Sequence, residues 1–166
     1  MFKHYLCIVV CIEKDFAMKI KDAIHQKKPF RNEYHEVAVN LIYTLNWLND
    51  QMSRMFRPYG LTMKQYNVLR ILQGAGQPLS TSVIRERLLD KMSDTSRIVD
   101  RLYKKGLVAR DTCPNDKRLV DVYLSEQGKE ILEKMCELEG ELDLLLSEIN
   151  REEAKQLSQL LDKIRK

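Results

Sequence analysis

The stretch from Ser80 to Leu124 decides how this chain is read. It runs STSVIRERLLDKM (80–92), SDTSRIVDRLYKKGLVAR (93–110) and DTCPNDKRLVDVYL (111–124). The first two pieces carry apolar residues at helical spacing. The third holds branched, strand-forming residues beyond a polar turn. Ser80 or Thr81 is placed to cap the first helix, with Val83, Ile84, Leu88 and Leu89 facing inward. Asp90 is the expected cap of the second helix, whose inner stripe is Thr95, Ile98, Val99 and Leu102. Gly106 is placed to end it in a left-handed cap. Leu107 to Arg110 and Leu119 to Leu124 are the predicted strands, and Cys113 to Arg118 the turn-forming tip. A helix pair followed by a small charged hairpin is a winged helix-turn-helix. That shape lays one helix into the DNA major groove and a loop beside it.

Outward from this segment the chain reads as scaffold. From about Glu33 to Phe56, Val37, Leu41, Leu45, Leu48, Met52 and Met55 recur every three or four residues. They give one long amphipathic helix, which Pro58-Tyr59-Gly60 stops. Thr62-Met63-Lys64-Gln65 is a capping box opening a helix that ends at Gly74-Ala75-Gly76. Pro78-Leu79 suits a brief extended bridge. Ser125 caps a second long helix through Leu146, and Asn150 starts a last one through Ile164. The expected fold is therefore mainly α: a winged helix-turn-helix core with a small β-hairpin wing, flanked by long N- and C-terminal dimerisation helices. Its expected parts are an N-terminal extension (1–32), a dimerisation helix (33–60), the winged-helix lobe (61–124) and C-terminal dimerisation helices (125–166).

The bulk properties of the 166-residue chain suit one soluble domain with a real core, at 31% charged and 44% hydrophobic residues. A net charge of +4 would not alone suggest nucleic acid, but its distribution is informative. Ser80 to Arg118 carries ten Lys/Arg against six Asp/Glu, while Ser125 to Lys166 carries seven against eleven. The helix-pair segment attracts phosphate and the tail repels it. Cys7, Cys11, Cys113 and Cys136 match no zinc or CxxC spacing and no disulfide framework, so a reducing cytoplasm is expected. The apolar run Tyr5 to Ile12 is too short to cross a bilayer and is followed by Glu13, Lys14 and Asp15. Residues 1–17 read as a start-site artefact, with Met18 the true start, or as an extension. No membrane, metal or cofactor site is expected. The absence of G-x-S-x-G, of a phosphate-cradling Gly loop and of HExxH argues against an enzyme.

The outward side of the helix after Asp90 carries the candidate major-groove residues Ser93, Asp94, Ser96, Arg97 and Arg101. Small hydroxyls let a helix approach closely, and an Arg donates to a guanine edge or to phosphate. Asp94 has three open roles: capping, pairing with Arg97, or accepting from a cytosine amine. Ser80, Thr81 and Lys104 are candidate phosphate contacts. In the hairpin, Asp116 two residues before Arg118 suits holding that guanidinium extended. An ordered Arg on a narrow hairpin fits the minor groove, with Lys117 on phosphate.

The run Ser96-Arg97-Ile98-Val99-Asp100-Arg101-Leu102, then Lys105-Gly106-Leu107-Val108-Ala109-Arg110, then Asp116-Lys117-Arg118, resembles the MarR family of multiple antibiotic resistance regulators. The likeness extends from about Tyr34 to the end, including Leu124-Ser125-Glu126-Gln127-Gly128. It implies a homodimer that binds pseudo-palindromic double-stranded operators, usually as a repressor. Arg118 would enter the minor groove with Asp116 bracing it, while Ser93, Ser96 and Arg97 face the major groove. The first and the last two long helices would build the dimer base. Apolar surface on Leu41, Leu45, Trp47, Leu138, Leu142, Leu145, Leu146, Leu157, Leu160 and Leu161 independently asks for a partner.

The resemblance also implies a small aromatic effector between dimer base and DNA lobe. Tyr43, Trp47, Met52, Met55, Phe56 and Tyr66 are candidates to line its pocket, and their helical spacing equally suits ordinary core. Peroxide-sensing members carry a Cys near the start of the first long helix; His35 stands there in this chain. Cys113 is left as a candidate modification site. The alternatives are a thiol-responsive regulator, or a module that keeps the fold for protein interaction.

Overall fold

The computed structural model describes residues 18–113 and 116–165. Residues 1–17, on which the start-site reading falls, lie outside the described residues. A short helix α1 (Ile20–Ala23) precedes α2 (Glu33–Phe56), which has the expected bounds. Residues Arg57–Tyr59 form one 3₁₀ turn, and Gly60 ends it at φ 64°, a conformation open to glycine without strain. Then come α3 (Met63–Ala75), β1 (Leu79–Ser80), α4 (Thr81–Arg87), α5 (Thr95–Lys104), β2 (Val108–Cys113), β3 (Asp116–Leu124), α6 (Glu126–Lys134), α7 (Glu137–Leu145) and α8 (Arg151–Ile164). The chain forms two compact units, one ending at Asp50 and the other running from Gln51 to Lys166.

The second unit holds the helix-turn-helix. The Thr62 hydroxyl accepts from the Gln65 amide, and the Gln65 side chain accepts from the Thr62 amide, so α3 opens in the expected capping box. Phe56, Val68, Leu69, Ile84, Val99 and Leu102 share one core with Val122 of the sheet and Leu132 and Met135. Every element of the lobe contributes to that core, so α4 and α5 are held at fixed angles.

The sheet has strand order β1-β3-β2 and is antiparallel throughout. Leu79 pairs with Val122, and Arg110 pairs with Val122 from the other side. The brief bridge at Leu79 is thus a true strand that covers an edge of the hairpin. The hairpin is longer than expected. Pairing continues to Cys113 opposite Asp116, with an irregularity after Thr112. A ladder needs only backbone groups, so polar side chains that read as a turn do not end it. Arg118 therefore lies within β3 rather than in a turn.

Three further expectations change. The helix after Ser125 is two helices, broken at Met135-Cys136, where amides pair three residues back (Cys136 N to Glu133 O, 3.1 Å). No Pro or Gly marks that break. Leu138, expected on a partner-facing surface, is buried in the lobe's own core. Leu89, expected to face inward, is exposed, because α4 stops at Arg87 and Leu88 takes the inward position.

Candidate nucleic-acid interface

The outward face of α5 is built by its cap. Asp94, not Asp90, is the N-cap: its carboxylate accepts from the Arg97 amide at 3.1 Å. The other carboxylate oxygen lies 3.2 Å from Arg97 Nε. Two of the three roles open to Asp94 are thereby filled at once. Ser96, Arg97, Asp100 and Arg101 are exposed, while Thr95, Val99 and Leu102 are buried. One side of α5 is thus anchored in the core and the other is free to meet a groove.

Asp90 instead braces the turn that leads into α5. It accepts from the Met92 amide (3.0 Å) and the Ser93 hydroxyl (2.8 Å), and pairs with Lys64 on α3 at 2.7 Å. The Lys64 ammonium, with those two donors, holds its carboxyl at about 2, well below the usual carboxylate range. Ser93 is buried with its hydroxyl given to Asp90. It is a brace of the turn rather than part of the outward face where the sequence pattern put it. Asn67 Oδ1 accepts from the Leu89 amide at 3.2 Å, a second tie from α3 to the same turn.

The far end of α5 is tied as well. Gly106 ends it at φ 71°. The Lys105 ammonium donates to the Gly60 carbonyl, and at 3.3 Å to Gln65 Oε1, linking the end of α5 to the start of α3. Arg57, Arg101, Lys104 and Lys105 line an open cleft of about 590 Å³ there, with Thr62 and Gln65. Of the expected phosphate contacts, Lys104 is exposed, Thr81 is half-buried, and the Ser80 hydroxyl is engaged in capping Val83 N (3.4 Å).

The wing meets α5 through Arg110. Its guanidinium pairs with Asp100 and lies 4.9 Å over the Tyr103 ring. The charge of Asp111 raises the pKa of the Tyr123 phenol, and the ring's own burial and its hydrogen bond with Asp111 push the same way. The side chains of Cys113, Asp116, Lys117 and Arg118 lie outside the described residues, so the bracing of Arg118 by Asp116 remains an expectation.

Of the candidate effector residues, Phe56 is fully buried and stacked on Tyr66 at 4.7 Å, and Met52 and Met55 pack on the same core. These four are packing residues of the lobe. Tyr43 and Trp47 are exposed on α2.

The profile of the MarR family matches residues 61–120, from just after the 3₁₀ turn to the middle of β3. An uncharacterized HTH-type transcriptional regulator of Bacillus cereus is 30% identical over 132 residues, covering 78% of this chain and 87% of the relative. The chain belongs to the MarR family. As a MarR-type protein it is a DNA-binding transcriptional regulator, not an enzyme. A MarR mutant from E. coli, solved in complex with operator DNA, is similar to this chain with a TM-score of 0.66 at 27% identity. The match covers 80% of this chain and 98% of that one. The fold is also that of the organohalide-sensing RdhR regulator in its 2,4-dichlorophenol-bound form. There the TM-score is 0.73 at 23% identity, over 84% of this chain and 86% of the other. Among the described residues no helix is long and apolar enough to cross a membrane.

Proposed function

We propose that this MarR-type regulator is a repressor that binds a pseudo-palindromic operator as a homodimer in the cytoplasm and is released by a small aromatic ligand. The observation that carries the reading is the outward face of α5. Ser96, Arg97 and Arg101 stand exposed on a helix whose start, end and inner side are all tied to the lobe. A rigid helix loses little freedom on entering a groove, so its contacts go into affinity. Arg97 and Arg101 serve as base-edge or phosphate donors, Lys104 and Thr81 as phosphate contacts, and Lys117 and Arg118 as the wing's contribution.

The dimer is supported by apolar side chains left in water. On α2 these include Ile42, Leu45 and Trp47, and on α8 Leu157, Leu160 and Ile164. Such stripes on long helices mark contact surfaces. Two-fold pairing sets two reading helices about 34 Å apart, one turn of DNA. The ligand is supported by the dichlorophenol-bound relative, with the exposed Tyr43 and Trp47 rings available to an aromatic effector.

The test is binding of the DNA upstream of the gene and its neighbours by fluorescence anisotropy across salt concentration. A steep fall of log affinity with log salt is expected, as phosphate counterions are released. Arg118→Ala and Arg97→Ala each weaken binding about 5- to 150-fold, on the scale of one good base or groove contact, while sedimentation still shows a dimer. Salt-independent binding, or no preference for any duplex, rules the reading out.

A further inference from the structure

The turn between α4 and α5 combines two features that do not ordinarily go together. Its backbone is pinned. Asn67 holds the Leu89 amide, Asp90 holds the Met92 amide and the Ser93 hydroxyl, and Lys64 anchors Asp90 to α3. Yet beyond the buried Leu88, two large apolar side chains of the turn point into water, Leu89 at 77% exposure and Met92 at 92%. Neither contributes to the core, so packing does not explain them. A turn that needed only to join two helices would carry polar residues here.

We propose that Met92, with Leu89 beside it, reads the 5-methyl group of a thymine in the operator's major groove. This rests on the DNA-binding reading above and names a base contact within it. Met92 stands two residues before Asp94, the cap of α5. In helix-turn-helix proteins it is the N-terminal end of the second helix that reaches base edges. The thymine methyl is the one apolar group a base presents in the major groove, and apolar side chains recognise it. A flexible, polarizable Met adapts to such a small target. Arg87, Lys91 and Arg97 are exposed in the same stretch, while Asp90 is tied to Lys64 and Asp94 to Arg97. What favours DNA over a protein partner is the pair's place just before the start of α5. The pinned backbone supplies what a discriminating contact requires, a side chain whose starting point does not move.

The experiment uses the full chain and synthetic operator duplexes in which each thymine in turn is replaced by deoxyuridine, which removes only the methyl. Wild-type protein should lose about four-fold in affinity at one thymine per half-site, the worth of one buried methyl group. Met92→Ala should lose a similar factor on the unmodified operator and show no further loss at that thymine. Leu89→Ala should reduce the same sensitivity in part. Since both side chains lie outside the core, circular dichroism melts should match the wild type. Wild-type indifference to every substitution, or Met92→Ala retaining full sensitivity, overturns this inference while leaving DNA binding standing. A change of assembly state in Met92→Ala assigns the patch to protein contact and overturns it also. Failure of the wild type to bind any unmodified duplex removes the underlying reading itself.

Discussion

Asp100, on the outward side of α5, accepts a charge-assisted hydrogen bond from Arg110 on the first strand of the wing. The same guanidinium covers Tyr103, one turn along that helix. Helix and wing are therefore joined by a side-chain link outside the core. On the reading proposed above, helix and wing meet the same half-site, one in the major groove and the other beside it, so this link would bring both together.

That link is testable by a double-mutant cycle on Asp100→Ala and Arg110→Ala. Both side chains are partly exposed, so water screens the pair and a coupling of about 0.5–1 kcal/mol in chemical denaturation is expected. Operator affinity falls in Asp100→Ala even though Asp100 offers phosphate only repulsion. A rise in affinity on removing this acid shows that charge, not the link, decides.

Thr95 carries a buried hydroxyl with no hydrogen-bond partner among the described residues. Thr95→Val keeps the shape and removes the unsatisfied oxygen, and the two residues have similar helix propensity. A gain of about 1 kcal/mol in urea unfolding is expected, with DNA binding unchanged. A loss of stability shows that the hydroxyl does find a partner in solution.

Gly128 sits in the first turn of α6, where propensity alone makes Ala the better residue by about 1 kcal/mol. A Cβ there would stand 2.0 Å from the Leu107 carbonyl oxygen. That oxygen is held in place, since it accepts from the Ser125 amide at 3.2 Å. Sterics therefore win, and Gly128→Ala costs about 1–3 kcal/mol. A thermal melt equal to or above that of the wild type refutes the close approach.

Asp90 titrates at about 2, lowered from 3.8 chiefly by Lys64. A lowered carboxylate favours folding in its charged form. Its contribution is complete above about 3.8 and fades as pH falls toward 2. The carboxyl carbon of Asp90 should show no titration by NMR above pH 4, and Lys64→Ala should move its midpoint back up. A midpoint in the ordinary carboxylate range in the intact protein removes Asp90 as the brace of the turn.

The exposed stripe on α8 yields a last expectation. Leu160→Lys puts a charge on a surface proposed to be shared by two copies. Sedimentation should show a shift toward monomer, with operator affinity falling because two half-sites are no longer held together. A stable dimer in this variant places the interface elsewhere.

What local chemistry writes into the chain was legible before folding. The Thr62–Gln65 capping box, the α2 bounds, the stop at Gly106 and the cap at Ser125 each depend on neighbours within four residues. Such interactions form wherever the segment goes. The helix-turn-helix and its hairpin followed from the same signals, as did the exposed Arg97 and Arg101. Tertiary packing decided the rest. Asp90 and Asp94 are both good capping residues in one short loop. Lys64, distant in sequence, drew the first to α3 and left the second to start α5. Leu88 and Leu89 are chemically alike, and only where α4 stops determines which is buried and which is left in water. The hairpin extended past its branched residues because a partner strand satisfies backbone groups whatever side chains they carry. Choices between equivalent neighbours are settled by contacts far along the chain, and no local pattern records them.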